Sequence, residues 1–571
     1  MPGPRLTPFD RGQALARLAH DHFDVLVVGG GITGCGVALD AAARGLRTAL
    51  VDAGDFAGGT SSKSSKLVHG GLRYLQQRDF RLVYEALAER QRLLNNAPHL
   101  VHPLPFLIPL FARDGQRRST AAVKGLARAY SSALTLYDLT GGLRIGHRHR
   151  RISAAAALAH FPALRTDRLV DSFLYWDAQT DDARLTLALA RTAVLSHGAV
   201  AANYAPVTEV VEENGRVSGA RLRDGTEIRA SAVVNAGGVW SEKVASLGAT
   251  PVGHPPIRPA KGVHVAVRAD RLHCDCATVL AVPGDRRSVF VVPWDAEGAS
   301  VDGGAGRFTY IGTTDTDYNG SLERPDCTPG DVAYLLGAVN AWTGAGLTPA
   351  DVTGTWAGLR PLLRDEPGGS TAPGGAKSRS ADLSRRHRVV ASPHGLVTVT
   401  GGKLTTYRLM AADTVDAVMR YLGRRLSYSP TRRLPLWGSE GADDIAAPGM
   451  ADRLGLEPDV LGHLAGRYGG EARTLAAMIH ADPGLGGPLV PGLGYVRAEA
   501  VVAARYEMAR TLADVVQRRT RAGILDQAAT VAAAPEVAAL GAGELGWDAG
   551  RVRAEVDSLA ETAPPQTPVP A

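Results

Sequence analysis

Residues Phe23 to Asp52 read FDVLVVGGGITGCGVALDAAARGLRTALVD. The apolar run up to Val28 has the composition of a strand buried on both faces. Gly29, Gly31 and Gly34 then follow in the spacing G-x-G-x-x-G, and VALDAAARG continues at helical spacing. In that spacing the first glycine makes a tight turn, the second lets backbone approach a pyrophosphate, and the third lets helix pack close to strand. The phosphates would lie on the helix N-terminus, where unpaired N–H groups and the dipole favour anions. LRTALVD is a second strand and closes on Asp52, 18 residues after Gly34. An acid at that place accepts hydrogen bonds from an adenosine ribose. The stretch predicts a βαβ mononucleotide-binding half and therefore a dinucleotide site.

One polar glycine-rich loop and two more glycine-ended strands lie outward from it. GGTSSKSSKLVHGGLR (Gly58–Arg73) is too polar to be core. Its hydroxyl and backbone groups, from Thr60, Ser61, Ser62, Ser64, Ser65, Lys66, His69, Gly70 and Gly71, are candidates to hold phosphates and a flavin ring. A strand ending Asn235-Ala236-Gly237-Gly238 approaches the same dinucleotide, with Ala236 and Gly237 as candidate contacts. So does Gly401-Gly402-Lys403-Leu404-Thr405, which leads into a helix. Elements spread this widely fit a domain embedding FAD, with a substrate domain inserted between its segments.

The chain has 571 residues, 45% apolar and 21% charged, which excludes disordered, collagenous and coiled-coil classes. Its four cysteines, Cys35, Cys274, Cys276 and Cys327, are too few for a disulfide framework and show no metal-ligand spacing. A reducing compartment follows, and no metal is expected. No signal peptide and no apolar run long enough to span a bilayer is read. The net charge of +6 is concentrated: residues 113–151 hold nine Lys/Arg against Asp114 and Asp138. With no zinc-finger spacing and no RNP motif, nucleic acid is a poor explanation. LPFLIPLF (Leu104–Phe111) precedes this basic segment, and VKGLARAYSSALTLYDL within it reads as an amphipathic helix. Together they suggest attachment to an anionic membrane surface.

The predicted class is mixed α/β. A lead-in (1–22) precedes a Rossmann-like FAD-binding domain over 23–433, with FAD segments near 23–100, 150–255 and 350–425. An antiparallel-sheet substrate domain interleaves near 100–150 and 256–350. A helical domain covers 434–560. Residues 561–571 read as a disordered tail, and the Gly/Ser/Pro-rich stretch 365–386 as a flexible surface loop.

At this point the chain resembles the FAD-dependent glycerol-3-phosphate dehydrogenases of the aerobic, quinone-reducing type, within the D-amino-acid-oxidase-like flavoproteins. The resemblance runs from about residue 23 to about 530. TSSKSSKLVHGGLRYL, KGVHV, YIGTTDTDY, WAGLRPL and GGKLTTYR carry it, with YEMARTLADVVQRRTRAGILD in the helical domain. The sequence departs from the family at Asp52, where many flavoproteins have Glu, and at VNAGGVW, where VNATGPW is commoner.

The resemblance implies hydride transfer from C2 of glycerol 3-phosphate to flavin N5, giving dihydroxyacetone phosphate, with electrons leaving to a membrane quinone. It implies a cytoplasmic protein held peripherally on the cytoplasmic face of the membrane; a homodimer is left open. Arg73 with Tyr74, Arg360, and Lys403 with Thr405 match the family's substrate pocket and supply cations for the phosphate. Lys403 is equally a candidate to stabilise charge on reduced flavin. His264 is the candidate general base, since an imidazole suits proton transfer near neutral pH; His69 is the competitor and more plausibly touches flavin. Two other readings remain: an oxidase of the same superfamily using oxygen, and a non-catalytic flavoprotein.

Overall fold

A computed structural model of the chain describes residues 9–72, 79–112, 121–248, 256–285, 287–294, 308–364 and 386–562. Arg73 and Tyr74, most of the 365–386 loop, the start of the basic segment and the tail lie outside the described residues.

The opening stretch folds as its pattern dictates. Val25–Val28 and Thr48–Val51 are fully buried parallel strands, and Ile32–Ala43 is the helix between them. Val200–Ala202 extends this sheet on one side. On the other, Val233–Asn235 and then Leu396–Gly401 add in parallel, and His387–Ala391 closes it antiparallel, giving six strands. The three glycine elements are therefore the C-terminal ends of strands in one sheet, the edge where open α/β sheets bind ligands. A separate meander, Val207–Glu213, Arg216–Leu222 and Glu227–Ala230, covers one side.

A second, ten-stranded sheet is built mainly from antiparallel pairs. Ile257–Arg268 pairs along its whole length with Val352–Leu363, and Val101–Phe111 pairs with Leu169–Thr180. This corrects one expectation. Leu104–Phe111 lies within a paired strand whose Phe106, Leu107, Ile108 and Leu110 are buried, so it is core and presents no apolar surface to a bilayer. An apolar run beside a basic one resembles a membrane anchor, and only the pairing with Leu169–Thr180 shows it to be core. The amphipathic helix is present as Ala121–Leu139, with Leu134 and Tyr137 buried. The predicted FAD segment beginning near 150 also yields strand Leu169–Thr180 to this second sheet.

The C-terminal region is helical, its longer helices being Pro458–Tyr468, Ala472–Ala481, Arg497–Tyr506, Gln527–Leu545 and Ala549–Thr562. It meets the FAD-binding part through buried ion pairs. Arg184 Nη1 donates to Glu507 at 2.7 Å, Arg191 to Glu471 at 2.7 Å, and Arg519 to Asp55 at 2.7 Å. Burial would raise the Asp55 carboxyl, but Arg519 and Arg518 hold it down at about 2. Breaking such a pair by removing one partner leaves an uncompensated buried charge and costs about 3–5 kcal/mol.

Candidate active site

The dinucleotide fingerprint passes a steric test. Gly29 has φ +113°, and a Cβ there would sit 2.6 Å from the Ala236 carbonyl oxygen. A Cβ on Gly34 would sit 1.8 Å from the Gly29 carbonyl oxygen. Turn, neighbouring strand and helix thus close on one another as tightly as backbone allows, the cradle a pyrophosphate requires. Gly31 caps the helix without a side chain, and Ser61 Oγ accepts from the Ile32 N–H at 2.8 Å. Asp52 accepts from Gly30 N–H at 2.6 Å and Gly54 N–H at 2.8 Å. Burial pushes its carboxyl above the usual range in spite of those two bonds. Both oxygens keep a lone pair for a ribose hydroxyl.

A cavity of about 180 Å³ opens beyond this cradle, and four sequence stretches meet in it. Thr60, Lys63, Ser64, Ser65, Leu67 and His69 line one wall; Gly262 and His264 come from strand Ile257–Arg268. Arg360 comes from the partner strand Val352–Leu363, and Gly401 to Thr405 close the far side. A larger cavity of about 460 Å³, among Arg11, Tyr204, Arg510 and Trp547, contains none of the predicted site residues. The smaller one gathers His69, His264, Arg360, Lys403 and Thr405 of the predicted set.

His264 is fixed on three sides. Its ring stacks on Trp356 with centroids 4.8 Å apart and planes 7° apart, a contact made by cross-strand register. Its Nε2 is 2.9 Å from Ser65 Oγ. On the other neighbouring strand, a Cβ at Gly312 would fall 1.9 Å from His264 Cδ2, so only glycine leaves room for the imidazole. Burial, then the charges of Arg360 and Lys66, hold the ring well below its ordinary pKa. The imidazole is therefore neutral at pH 7 with a lone pair available.

Arg360 donates from Nη2 to Thr313 Oγ1 at 3.0 Å and to the Thr314 carbonyl at 3.2 Å, and pairs with Asp315 at 3.4 Å. A Cβ on Gly262 would meet its Nη2 at 2.5 Å, so this glycine leaves room for the guanidinium in the cavity wall. Thr405 Oγ1 accepts from the His69 N–H at 3.2 Å, tying the third glycine element to the flavin loop. Gly401 and Gly402 have φ +77° and +80°, the backbone reversal that turns the strand into the Tyr407–Tyr421 helix. Gly70 N–H donates to Tyr137 Oη at 3.0 Å, and Gly71 adopts φ +76°.

Lys66 is placed differently from a direct cofactor contact. Its ammonium is fully buried, donating to Asp182 Oδ1 at 2.7 Å and to the Ser62 carbonyl at 3.2 Å, and it does not line the cavity. Lys63, absent from the predicted set, does line it, with its ammonium lowered to about 8 by burial and by Arg518. It stands inside the same polar motif, so the motif itself was the available signal. Trp356, Gly312 and Asp182 stand in WAGLRPL, YIGTTDTDY and DDARLTL, so their motifs were visible, but nothing local assigned them these contacts.

Comparisons agree with this geometry. The family model described as FAD dependent oxidoreductase matches residues 24–408, and that described as the C-terminal domain of alpha-glycerophosphate oxidase matches 429–552. The chain is thus a flavoprotein of the FAD-dependent oxidoreductase class, and its cofactor is FAD. It is 41% identical to glycerol-3-phosphate dehydrogenase 2 of Mycobacterium tuberculosis, over 97% of this chain and 90% of that protein. It is 36% identical to the mitochondrial glycerol-3-phosphate dehydrogenase of Mus musculus, over 98% of this chain and 75% of that one. The crystal structure of the glycerol-3-phosphate dehydrogenase from Bacillus halodurans complexed with FAD superposes with a TM-score of 0.74 at 28% identity, covering 97% of both chains. The chain belongs to the family of FAD-dependent glycerol-3-phosphate dehydrogenases.

Proposed function

We propose that this protein oxidises sn-glycerol 3-phosphate to dihydroxyacetone phosphate and passes the electrons to a membrane quinone. One observation carries the reading: a neutral, buried His264 shares a small cavity with the cationic side chains of Lys63, Arg360 and Lys403. A base beside phosphate-seeking cations matches a substrate with a hydroxyl to deprotonate next to a dianion. FAD, when bound, supplies the hydride acceptor. His264 takes the C2 hydroxyl proton at Nε2, directly or through the Ser65 hydroxyl already bonded to it. Arg360, Lys403 and Thr405 hold the phosphate, as do Arg73 and Tyr74. His264, at the cavity wall, is itself buried, and lower local polarity strengthens its contacts.

The acceptor side rests on the end of the basic segment 113–151 together with helix Phe80–Asn96, and not on Leu104–Phe111. Among the described residues no helix is long and apolar enough to cross a membrane. Phe80 and Tyr84 on helix Phe80–Asn96 are 47% and 52% exposed, and Leu139, ending the amphipathic helix, is 72% exposed. The Arg144 guanidinium lies 5.5 Å from the Tyr84 ring centroid, joining cationic and apolar groups on one face. Such a face suits the interface of an anionic bilayer.

The match of the C-terminal domain to that of alpha-glycerophosphate oxidase supports one second reading, transfer to oxygen. Anaerobic addition of sn-glycerol 3-phosphate should bleach the oxidised flavin band, while glycerol and amino acids should not. Stoichiometric peroxide on readmitting air would favour the oxidase. Bound flavin that stays oxidised would remove the substrate assignment.

A further inference from the structure

We propose that Arg521 of the helical domain is a positioning residue for the reductive half-reaction: with Lys66 it clamps Asp182, and that clamp sets the Ser62–Lys66 loop so that the Ser65 hydroxyl meets His264. The inference rests on His264 acting as the base.

The contacts form one continuous set. Arg521 Nη2 donates to Asp182 Oδ1 at 2.8 Å and also to the Ser62 carbonyl. Lys66 Nζ converges on the same two acceptors. The other oxygen, Asp182 Oδ2, accepts from Ser64 N–H at 2.9 Å and from Ser64 Oγ at 2.7 Å. Ser64 Oγ in turn accepts from the Lys66 N–H at 2.9 Å. Every loop residue from Ser62 to Lys66 except Lys63 and Ser65 is thus tied to Asp182 or its two cations. Ser65 is fixed through its backbone, where Tyr310 Oη donates to its carbonyl at 2.7 Å, leaving its hydroxyl for His264 Nε2.

Two features separate this from an ordinary buried ion pair. Lys66 and Arg521 both hold left-handed backbone, φ +55° and +70°, a conformation that non-glycine residues adopt at a cost. Both ends of the clamp are strained so that their side chains reach Asp182. Strain retained in this way accumulates at functional sites. The Lys66 ammonium also lies 5.2 Å from the centroid of Trp356, the ring on which His264 stacks. One end of the clamp thus lies against the ring that backs His264, while the Ser65 hydroxyl is the clamp's hydrogen-bonded link to the imidazole. Asp182, Lys66 and Arg521 are fully buried, and none lines the cavity, so none touches the substrate.

The test is a double-mutant cycle on the FAD-loaded enzyme, read as the limiting rate of anaerobic flavin reduction and the concentration of glycerol 3-phosphate giving half that rate. Arg521→Gln should slow reduction by about tenfold or more while half-saturation moves less than about threefold, because the phosphate ligands are untouched. Ser65→Ala should do the same. If Arg521 acts through Ser65, the double variant is slower than the slower single by no more than about twofold. Effects that multiply, or an Arg521→Gln rate within about twofold of the parent, would overturn the proposal. Should Arg521→Gln fail to retain FAD, Arg521→Lys replaces it in the cycle. It keeps the charge but lacks the fork that also reaches the Gln517 carbonyl at 2.8 Å, and it must show an intermediate rate with the same non-additivity.

Histidine-selective ¹⁵N spectra of the holoenzyme separate the two levels of inference. The His264 signal, identified by its loss in His264→Gln, should shift in Arg521→Gln as it does in Ser65→Ala. If glycerol 3-phosphate does not reduce the parent enzyme, the substrate reading falls and this shift still decides the clamp. Absence of the shift overturns the clamp whatever the substrate.

Discussion

Gly312→Ala tests the catalytic geometry without altering any group that carries chemistry. The added methyl would start 1.9 Å from His264 Cδ2, whereas ordinary van der Waals contact begins at 3.4 Å. The imidazole must therefore retreat by roughly 1.5 Å, a figure set by those two distances. It cannot slide far, because Trp356 stacks at 4.8 Å on its face and the strand backbones on both sides are paired. Overpacking of this kind costs about 1–3 kcal/mol of stability. Displacing a catalytic group by about 1 Å costs about 10²-fold in rate. The expected variant is folded, yellow and slow, with flavin reduction down about a hundredfold at saturating glycerol 3-phosphate and FAD content unchanged. Stopped-flow absorbance at the flavin band measures the first, and the protein-to-flavin absorbance ratio the second. A Gly312→Ala enzyme reduced within threefold of the parent rate would refute the placement of His264 as the base.

Other outcomes follow from the same structure. His264→Ala should lower flavin reduction by about 10²–10⁴-fold, and a loss below tenfold would take the residue out of that role. Because burial keeps the imidazole neutral, the acid limb of the parent's reduction rate should lie below pH 6.5; a limb centred at 6.5 would contradict the burial. His99, held at about 3 by burial and by Arg184, is neutral in the folded state and protonates freely in the unfolded one. Its contribution to stability is present above about pH 6.5 and is lost as pH falls below it, by about 1.4 kcal/mol per unit. Urea unfolding at pH 7 and pH 5 should show this loss, reduced in His99→Gln. Replacing both Arg518 and Arg519 by Ala strands Asp55 and should cost at least about 3–5 kcal/mol in unfolding free energy, whereas a change under 1 kcal/mol would mean water reaches the carboxylate. Leu139→Asp together with Arg144→Glu should weaken binding to anionic vesicles, most at low salt; unchanged binding would remove this face as the docking surface.

What was legible in the sequence was what neighbouring residues encode. The turn at Gly29, the cap at Gly31 and the acid at Asp52 are local, and their spacing alone dictates the conformation. The cavity was legible only in pieces. His264 and Arg360 could be named as candidates, but that His264 stacks on Trp356 is a fact of strand register, which no spacing reveals. Lys66 read as a cofactor ligand because its motif is polar; its true partner, Asp182, lies 116 residues away. Leu104–Phe111 read as a surface element because an apolar run beside a basic one resembles a membrane anchor. Pairing with Leu169–Thr180 overrides that pattern, and the exposed apolar groups come instead from Phe80 and Tyr84 on one helix and Leu139 on another.

The buried ion pairs between the helical and FAD-binding parts also set an order of events during synthesis. Asp55 and its partner Arg519 are 464 residues apart in the chain. At about 5–20 residues per second, a ribosome takes roughly 25–90 s to travel from one to the other. Through that interval Asp55 has been made and its two arginines, Arg518 and Arg519, have not. The strand and turn that cradle pyrophosphate are finished early, and Lys66 is already present to pair with Asp182, but the second cation on Asp182, Arg521, comes only with the last tenth of the chain. Docking of the helical part on these carboxylates therefore belongs to the completed polypeptide, and a chain stalled before Arg518 would leave Asp55 buried without either arginine.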